Sequence, residues 1–247
     1  MQTIQLLTAL SGSLYLLTMT VVGIRLLVLA RRNRTRPELL LGCSVLLGGT
    51  LGATLEVVAG QAFPVPSTGA GTTMMLAKLL GGCGIALYNL FIWRVFRPEE
   101  RWATVLFCGL TGVSILAFIG FYASGSFSTG VLDARWFWVE LVGRYASPIW
   151  LIVESFRYWA QMRRRVKLEL ADPLVANRFL LWGVSAVFAI VMLTTSIAPQ
   201  VDPGATYFAT VNLVILACAG VAASIPYWLA FFPPVAYRRY IMASAGA

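Results

Sequence analysis

Between Ile4 and Ala30 the chain carries a single charged residue, Arg25, and further stretches of similar length are nearly as apolar. A run of about 20 apolar residues is long enough to cross a hydrocarbon core of about 30 Å as a helix. Inside such a core every backbone polar group must be satisfied within the chain, so the repeated pattern admits little but helices. Of the 247 residues, 59% are hydrophobic and 12% charged, against about 45–50% and about 25% in soluble domains. The pattern predicts an all-α fold, a bundle of seven transmembrane helices in one domain, 1–247, with no length left for a soluble domain.

Helix 1, about Ile4 to Ala30, lacks the basic start and small-residue cleavage site of a signal peptide and is read as retained. The basic loop RRNRTRPE leads to helix 2, about Glu38 to Ala62, with Pro37 and Glu38 suited to its first turn. Gly48 and Gly52 form a GxxxG that allows close helix contact, either within the bundle or between two copies. Phe63 to Thr73 reads as a turn, helix 3 as about Thr72 to Phe96, and helix 4, about Trp102 to Ala123, as an uncharged linker or lipid-facing helix. Helix 5 is Arg135 to Arg165. Asp172 and Pro173 form a cap and first position for helix 6, about Pro173 to Ile197. APQVDPGAT is a turn before helix 7, about Tyr207 to Phe232, and Pro226 interrupts that last helix.

Orientation follows from where the basic residues fall. One set of connections and helix ends holds the arginines of 31–36 together with Arg94, Arg97, Arg101, Arg163, Arg164, Arg165, Lys167, Arg178, Arg238 and Arg239. The opposite set holds Arg135 alone. The positive-inside rule then places the N-terminus outside and the C-terminus in the cytoplasm. The net charge of +9 is thereby topological, a basic inner face that meets anionic lipids or a protein partner, and nucleic acid is excluded. Helices 1–2 and 5–6 share a layout, a long helix, an arginine run and a Pro-led start, then LLLG or LLWG. It suggests two three-helix halves joined by helix 4.

The chemistry concentrates on helix 5. Glu140, Arg144, Ser147, Glu154 and Tyr158 fall within about 80° of one another at 100° per residue. A charge at the bilayer centre costs about 2.5–3.5 kcal/mol, so this stripe must face other helices or a wet cavity. Helix depth puts Glu56, Lys78, Glu140 and Arg144 at one outer level. They form either a structural ion-pair cluster or a polar ligand pocket, completed by Thr8, Ser11, Thr194, Thr195 and Asn212, for an anionic or zwitterionic small molecule. Glu154 is the candidate for a proton-linked step, with Asn89 or Tyr88 as its alternative hydrogen-bond partners. Pro148 and Pro226 are hinge candidates.

The chain has no histidine, which removes His-ligated haem or zinc and Ser-His or Cys-His catalysis. Asp133, Asp172 and Asp202 fall in loops or at helix ends, so paired-Asp hydrolysis within the membrane is excluded as well. Cys43, Cys83, Cys108 and Cys218 lie in apolar stretches with no ligand spacing and read as small buried hydrophobes. No metal, no cofactor and no enzymatic activity are expected.

The segments PELLLGCSVLLGG, Pro37 to Gly49, and ADPLVANRFLLWG, Ala171 to Gly183, resemble those of uncharacterised bacterial seven-helix inner-membrane proteins. The resemblance implies a multi-pass protein of a bacterial inner membrane and brings no activity. Retinal pigments are excluded because helix 7 has no lysine. Two functions remain, a receptor-like or accessory subunit that binds a small molecule or lipid, or a proton-coupled small-solute carrier; either is compatible with a homo-oligomer.

Overall fold

The computed structural model describes residues 2–34, 36–201 and 206–245; Asp202 and the side chain of Thr8 lie outside the described residues. All regular structure among them is helical. We number the long helices α1 (Gln2–Asn33), α2 (Arg36–Gln61), α3 (Thr68–Phe96), α4 (Arg101–Ala123), α5 (Ala134–Val166), α6 (Pro173–Val201), α7 (Thr206–Phe231) and α8 (Val235–Ala245).

Six helices among the described residues are long and apolar enough to cross a membrane, those of α1 to α4, α6 and α7. The expected count of seven is thus corrected to six by this measure. The seventh candidate, α5, has ample length at 33 residues, but Glu140, Arg144, Glu154 and Arg157 interrupt its apolar run.

Three boundaries also depart from expectation. Helix α3 begins at Thr68 because Ser67 caps it, its hydroxyl accepting from the Ala70 amide at 3.2 Å. Helix α6 runs on to Val201, through part of the expected turn. Residues 235–245, beyond the last expected helix, form α8, which Asn177 of α6 ties down by donating to the Tyr237 hydroxyl at 2.8 Å. The Asp172 cap is as read, its carboxylate accepting from the Leu174 amide at 2.8 Å.

The chain divides into two compact units, Met19–Ser147 and a second made of Met1–Thr18 with Pro148–Ala247. The expected halves joined by helix 4 are therefore not the units observed. Helix α4 belongs to the first unit and is no linker: Phe107 stacks on Trp93 of α3 at 5.4 Å, and Ala117 and Phe121 form a core with Phe127. Its other side, with Val105, Ile115 and Ile119, is exposed. Between α4 and α5 a single turn, Ser126–Thr129, is flanked by Gly125 and Gly130 at φ 74° and 81°, values that favour glycine. Asp133 then caps α5, accepting from the Arg135 amide at 2.9 Å. The Arg135 guanidinium hydrogen-bonded to it holds its carboxyl below the usual range.

In the first unit the GxxxG packs within the chain. A Cβ at Gly48 would meet the Gly84 backbone at 3.3 Å, and one at Gly52 the Gly81 backbone at 3.0 Å. Residues 45–52 of α2 form a π-helical segment at this crossing, with hydrogen bonds one residue longer than in an α-helix.

In the second unit α6 and α7 pair. Ser185 donates to the Ala223 carbonyl at 2.8 Å, three residues before Pro226, and Trp182 stacks on Phe231 at 6.0 Å. Ser11 of α1 donates to the Ala217 carbonyl at 2.6 Å. Three of the four cysteines, Cys83, Cys108 and Cys218, are exposed on apolar helix faces, which corrects their reading as buried; all four are free.

Gly84→Ala should lower the melting temperature in detergent, an overpacking cost of about 1–3 kcal/mol, because its Cβ would land on the Gly48 backbone. Gly82→Ala meets nothing within 4 Å and should be neutral, or stabilising by up to about 1 kcal/mol through helix propensity. Equal melting shifts for the two variants would refute the glycine crossing.

Candidate functional site

The glycine contact sets the register that builds the site. Helices α2 and α3 run antiparallel, and Gly48 opposes Gly84 while Gly52 opposes Gly81. One step further, four residues along α2 and three back along α3, the pair is Glu56 and Lys78. In an ideal α-helix each four-residue step drifts about 40° around the axis. The wider turns of the π segment work against that drift, so that Gly48, Gly52 and Glu56 present one face.

Lys78 donates to Glu56 Oε1 at 2.9 Å and to the two oxygens of Glu140, Oε2 at 2.8 Å and Oε1 at 3.0 Å. Arg144, one turn beyond Glu140 on α5, donates from Nε to Glu140 Oε1 at 3.1 Å and from Nη2 to Glu56 Oε1. The four side chains thus close a ring in which the signs alternate, Lys78, Glu56, Arg144, Glu140 and back to Lys78. It joins α2, α3 and α5 and carries no net charge.

The ring is not symmetrical. Side-chain exposure is 5% at Lys78 and 13% at Glu140 but 27% at Glu56 and 23% at Arg144. Donor use differs in the same sense. An ammonium has three N–H groups, and three acceptors surround Lys78; a guanidinium has five, and the ring engages Arg144 through two nitrogens. The Lys78 side is closed and spent, while the Glu56–Arg144 side retains both access and hydrogen-bonding capacity. The Phe121 ring of α4, its centroid 5.7 Å from Lys78 Nζ, adds a cation–π contact that no spacing or motif in the chain signals.

The structure therefore brings together Glu56, Lys78, Glu140 and Arg144, the four charges that helix depth had placed at one level. Asn212 is half-buried on α7, in the other unit, and is not a member of the ring. Ser11, Thr194 and Thr195 also belong to that unit, and their hydroxyls donate to backbone carbonyls, those of Ala217, Ile190 and Val191.

Pro148 and Pro226 both lie inside unbroken helices. Proline has no N–H, so at Pro148 the carbonyl released is that of Arg144, four residues before it. The adjacent Ser147 hydroxyl donates to the Gly143 carbonyl at 2.8 Å. Beyond the proline, Glu154 is 2% exposed and Ser155 fully buried. In the first unit Asn89 is fully buried too, and neither atom of its amide has a hydrogen-bond partner among the described residues.

No group of His, Cys, Asp and Glu among the described residues is arranged to hold a metal ion. No protein family, curated protein or solved structure matches this chain.

Lys78→Met should destabilise the protein by about 3 kcal/mol, since it leaves two partly buried carboxylates against one cation. Adding Glu140→Gln removes one charge of each sign. The double variant should lose less than the sum of the single losses, by about 0.5–3 kcal/mol. Strict additivity in detergent unfolding would mean that the two side chains do not interact.

Proposed function

We propose that this chain is a seven-helix integral membrane protein, a receptor-like or accessory subunit, that binds a small molecule or lipid headgroup at the Glu56–Arg144 edge of the ring. On this reading α5 is the seventh crossing. Its 33 residues make about 50 Å of helix at 1.5 Å per residue, more than the core requires. The ring neutralises Glu140 and Arg144, which removes the main electrostatic objection to inserting it.

The positive-inside count puts the N-terminus outside and the ring toward the outer surface. At the opposite ends of the helices Arg94, Arg97 and Arg163 lie over the rings of Trp93, Trp102 and Trp159, at 5.0, 5.7 and 5.1 Å. Arginines held there at interfacial aromatics suit anionic lipid headgroups. The resemblance noted above favours a bacterial inner membrane as its location.

The observation that carries the binding function is the inequality of the ring. A purely structural cluster has no need for one accessible side with unspent donors, whereas a ligand site has. Native mass spectrometry of the detergent-extracted protein tests this. Wild type should retain a defined small molecule or lipid, and Glu56→Gln and Arg144→Leu, checked by thermal melt for folding, should lose it. Retention of the same species by both folded variants, or no retained species in wild type, would refute the binding function.

A second function, proton-coupled solute carriage, is favoured by one feature. The boundary between the compact units falls between Ser147 and Pro148, so one helix bears the ring before its proline and the buried Glu154 after it. A hinge there would couple the two, and a carboxyl in such a setting suits proton transfer. In proteoliposomes under a pH gradient, solute-dependent proton movement that Glu154→Gln abolishes would support a carrier; identical fluxes in wild type and variant would exclude it.

A further inference from the structure

We infer that the occupant of the Glu56–Arg144 edge is a zwitterion, which inserts into the ring with its anionic group on Arg144 and its ammonium on Glu56. The inference rests on the reading that this edge binds a ligand, and it specifies the chemical class.

The ring holds two carboxylates and two cations and is neutral as it stands. An anion bound to Arg144 would leave the site with one surplus negative charge, and a cation on Glu56 with one surplus positive charge. Either surplus is expensive where the surroundings are apolar. A zwitterion adds one charge of each sign. Placed between Glu56 and Arg144, it extends four alternating charges to six and leaves the sum at zero.

Hydrogen bonding disfavours opening at Lys78–Glu140, and among the three single-bond contacts exposure selects Glu56–Arg144, the pair formed by the two more exposed members of the ring. When Glu56 and Arg144 separate, neither is orphaned, because Lys78 still holds Glu56 at 2.9 Å and Glu140 still accepts from Arg144 Nε at 3.1 Å. Opening the ring at Lys78–Glu140 would instead break two hydrogen bonds, at 2.8 and 3.0 Å, on the less exposed side. Once released from Glu56, the outer nitrogens of Arg144 offer the planar fork that grips a carboxylate or a phosphodiester through two parallel bonds. Glu56 Oε1 stays with Lys78, and Oε2, which takes no part in the ring's hydrogen bonds, accepts from the ammonium.

Two sources share this chemistry, a free amino-acid-like zwitterion and the phosphoethanolamine headgroup of a lipid. Thermal-shift titration of the wild-type protein in an uncharged detergent separates the charge classes, with β-alanine and glycerophosphoethanolamine as zwitterions, propionate as the anion and propylammonium as the cation. At least one zwitterion should bind tenfold or more tighter than both singly charged probes. In Glu56→Gln that preference over the anion should collapse to within about twofold. The wild-type comparison does not depend on any variant folding.

Protein in nanodiscs of phosphatidylethanolamine, compared with phosphatidylglycerol, identifies the source. Stabilisation by phosphatidylethanolamine that glycerophosphoethanolamine competes away points to the lipid, and a response to β-alanine alone to a free solute. Propionate binding as tightly as the zwitterions would overturn the zwitterion while leaving a ligand site in place. No response to any probe or lipid, with nothing retained in mass spectrometry, would overturn both.

Discussion

An ammonium group in an apolar interior must find an acceptor for each of its N–H bonds, and Lys78 finds three within 3.0 Å. The first compact unit depends on that saturation. Glu140 of α5 balances the charge of Lys78 and takes two of its N–H groups, and Glu56 of α2 takes the third, so acids from both neighbours meet α3. Two acids around one lysine are surplus by one negative charge, and Arg144 corrects it. Each member is thus explained by the charge the others would leave uncompensated, which is why four ionisable groups are tolerated where one is not.

The ring forms only because backbones approach closely elsewhere. Side chains at Gly48, Gly52 or Gly84 would hold α2 off α3 and draw Glu56 away from Lys78. Packing without charge and pairing of charge are therefore successive steps of one ladder along the same two helices. On α4, Gly120 has a comparable role, since any Cβ there would collide with the indole of Trp136 on α5. Both contacts lie within the unit that holds the ring.

Much of this was legible in the sequence, for identifiable reasons. Long apolar runs leave few alternatives to helices, so α1, α2, α4 and α5 begin and end within a few residues of their expected places. Depth along antiparallel helices is a one-dimensional quantity, and residue counting was enough to align Glu56, Lys78, Glu140 and Arg144. Lateral position is not one-dimensional: Asn212 shares the ring's expected depth and lies in the other unit, and Phe121 lies in a stretch, Trp102 to Ala123, that carries no charge to draw notice.

The start of α3 was misplaced because a glycine- and proline-rich run masked the Ser67 cap, and α8 because it is short and follows two prolines. The cysteines were misjudged because an apolar residue on a membrane helix has as much reason to face outward as inward. Six helices, not the expected seven, pass by composition because the charges that α5 brings to the ring also lower its hydropathy.

The π segment at 45–52 makes the connection between α2 and α3 digital. A π turn carries one residue more than an α turn, and in a regular helix one residue more would rotate everything beyond it by about 100°. The widened turns absorb that residue, so Glu56 keeps the face it shares with Gly48 and Gly52. Eight residues of apolar and small side chains, none of them ionisable, therefore hold the phase of the ring. A change that restored ordinary α turns here at unchanged length would turn Glu56 away without altering any charge in the protein.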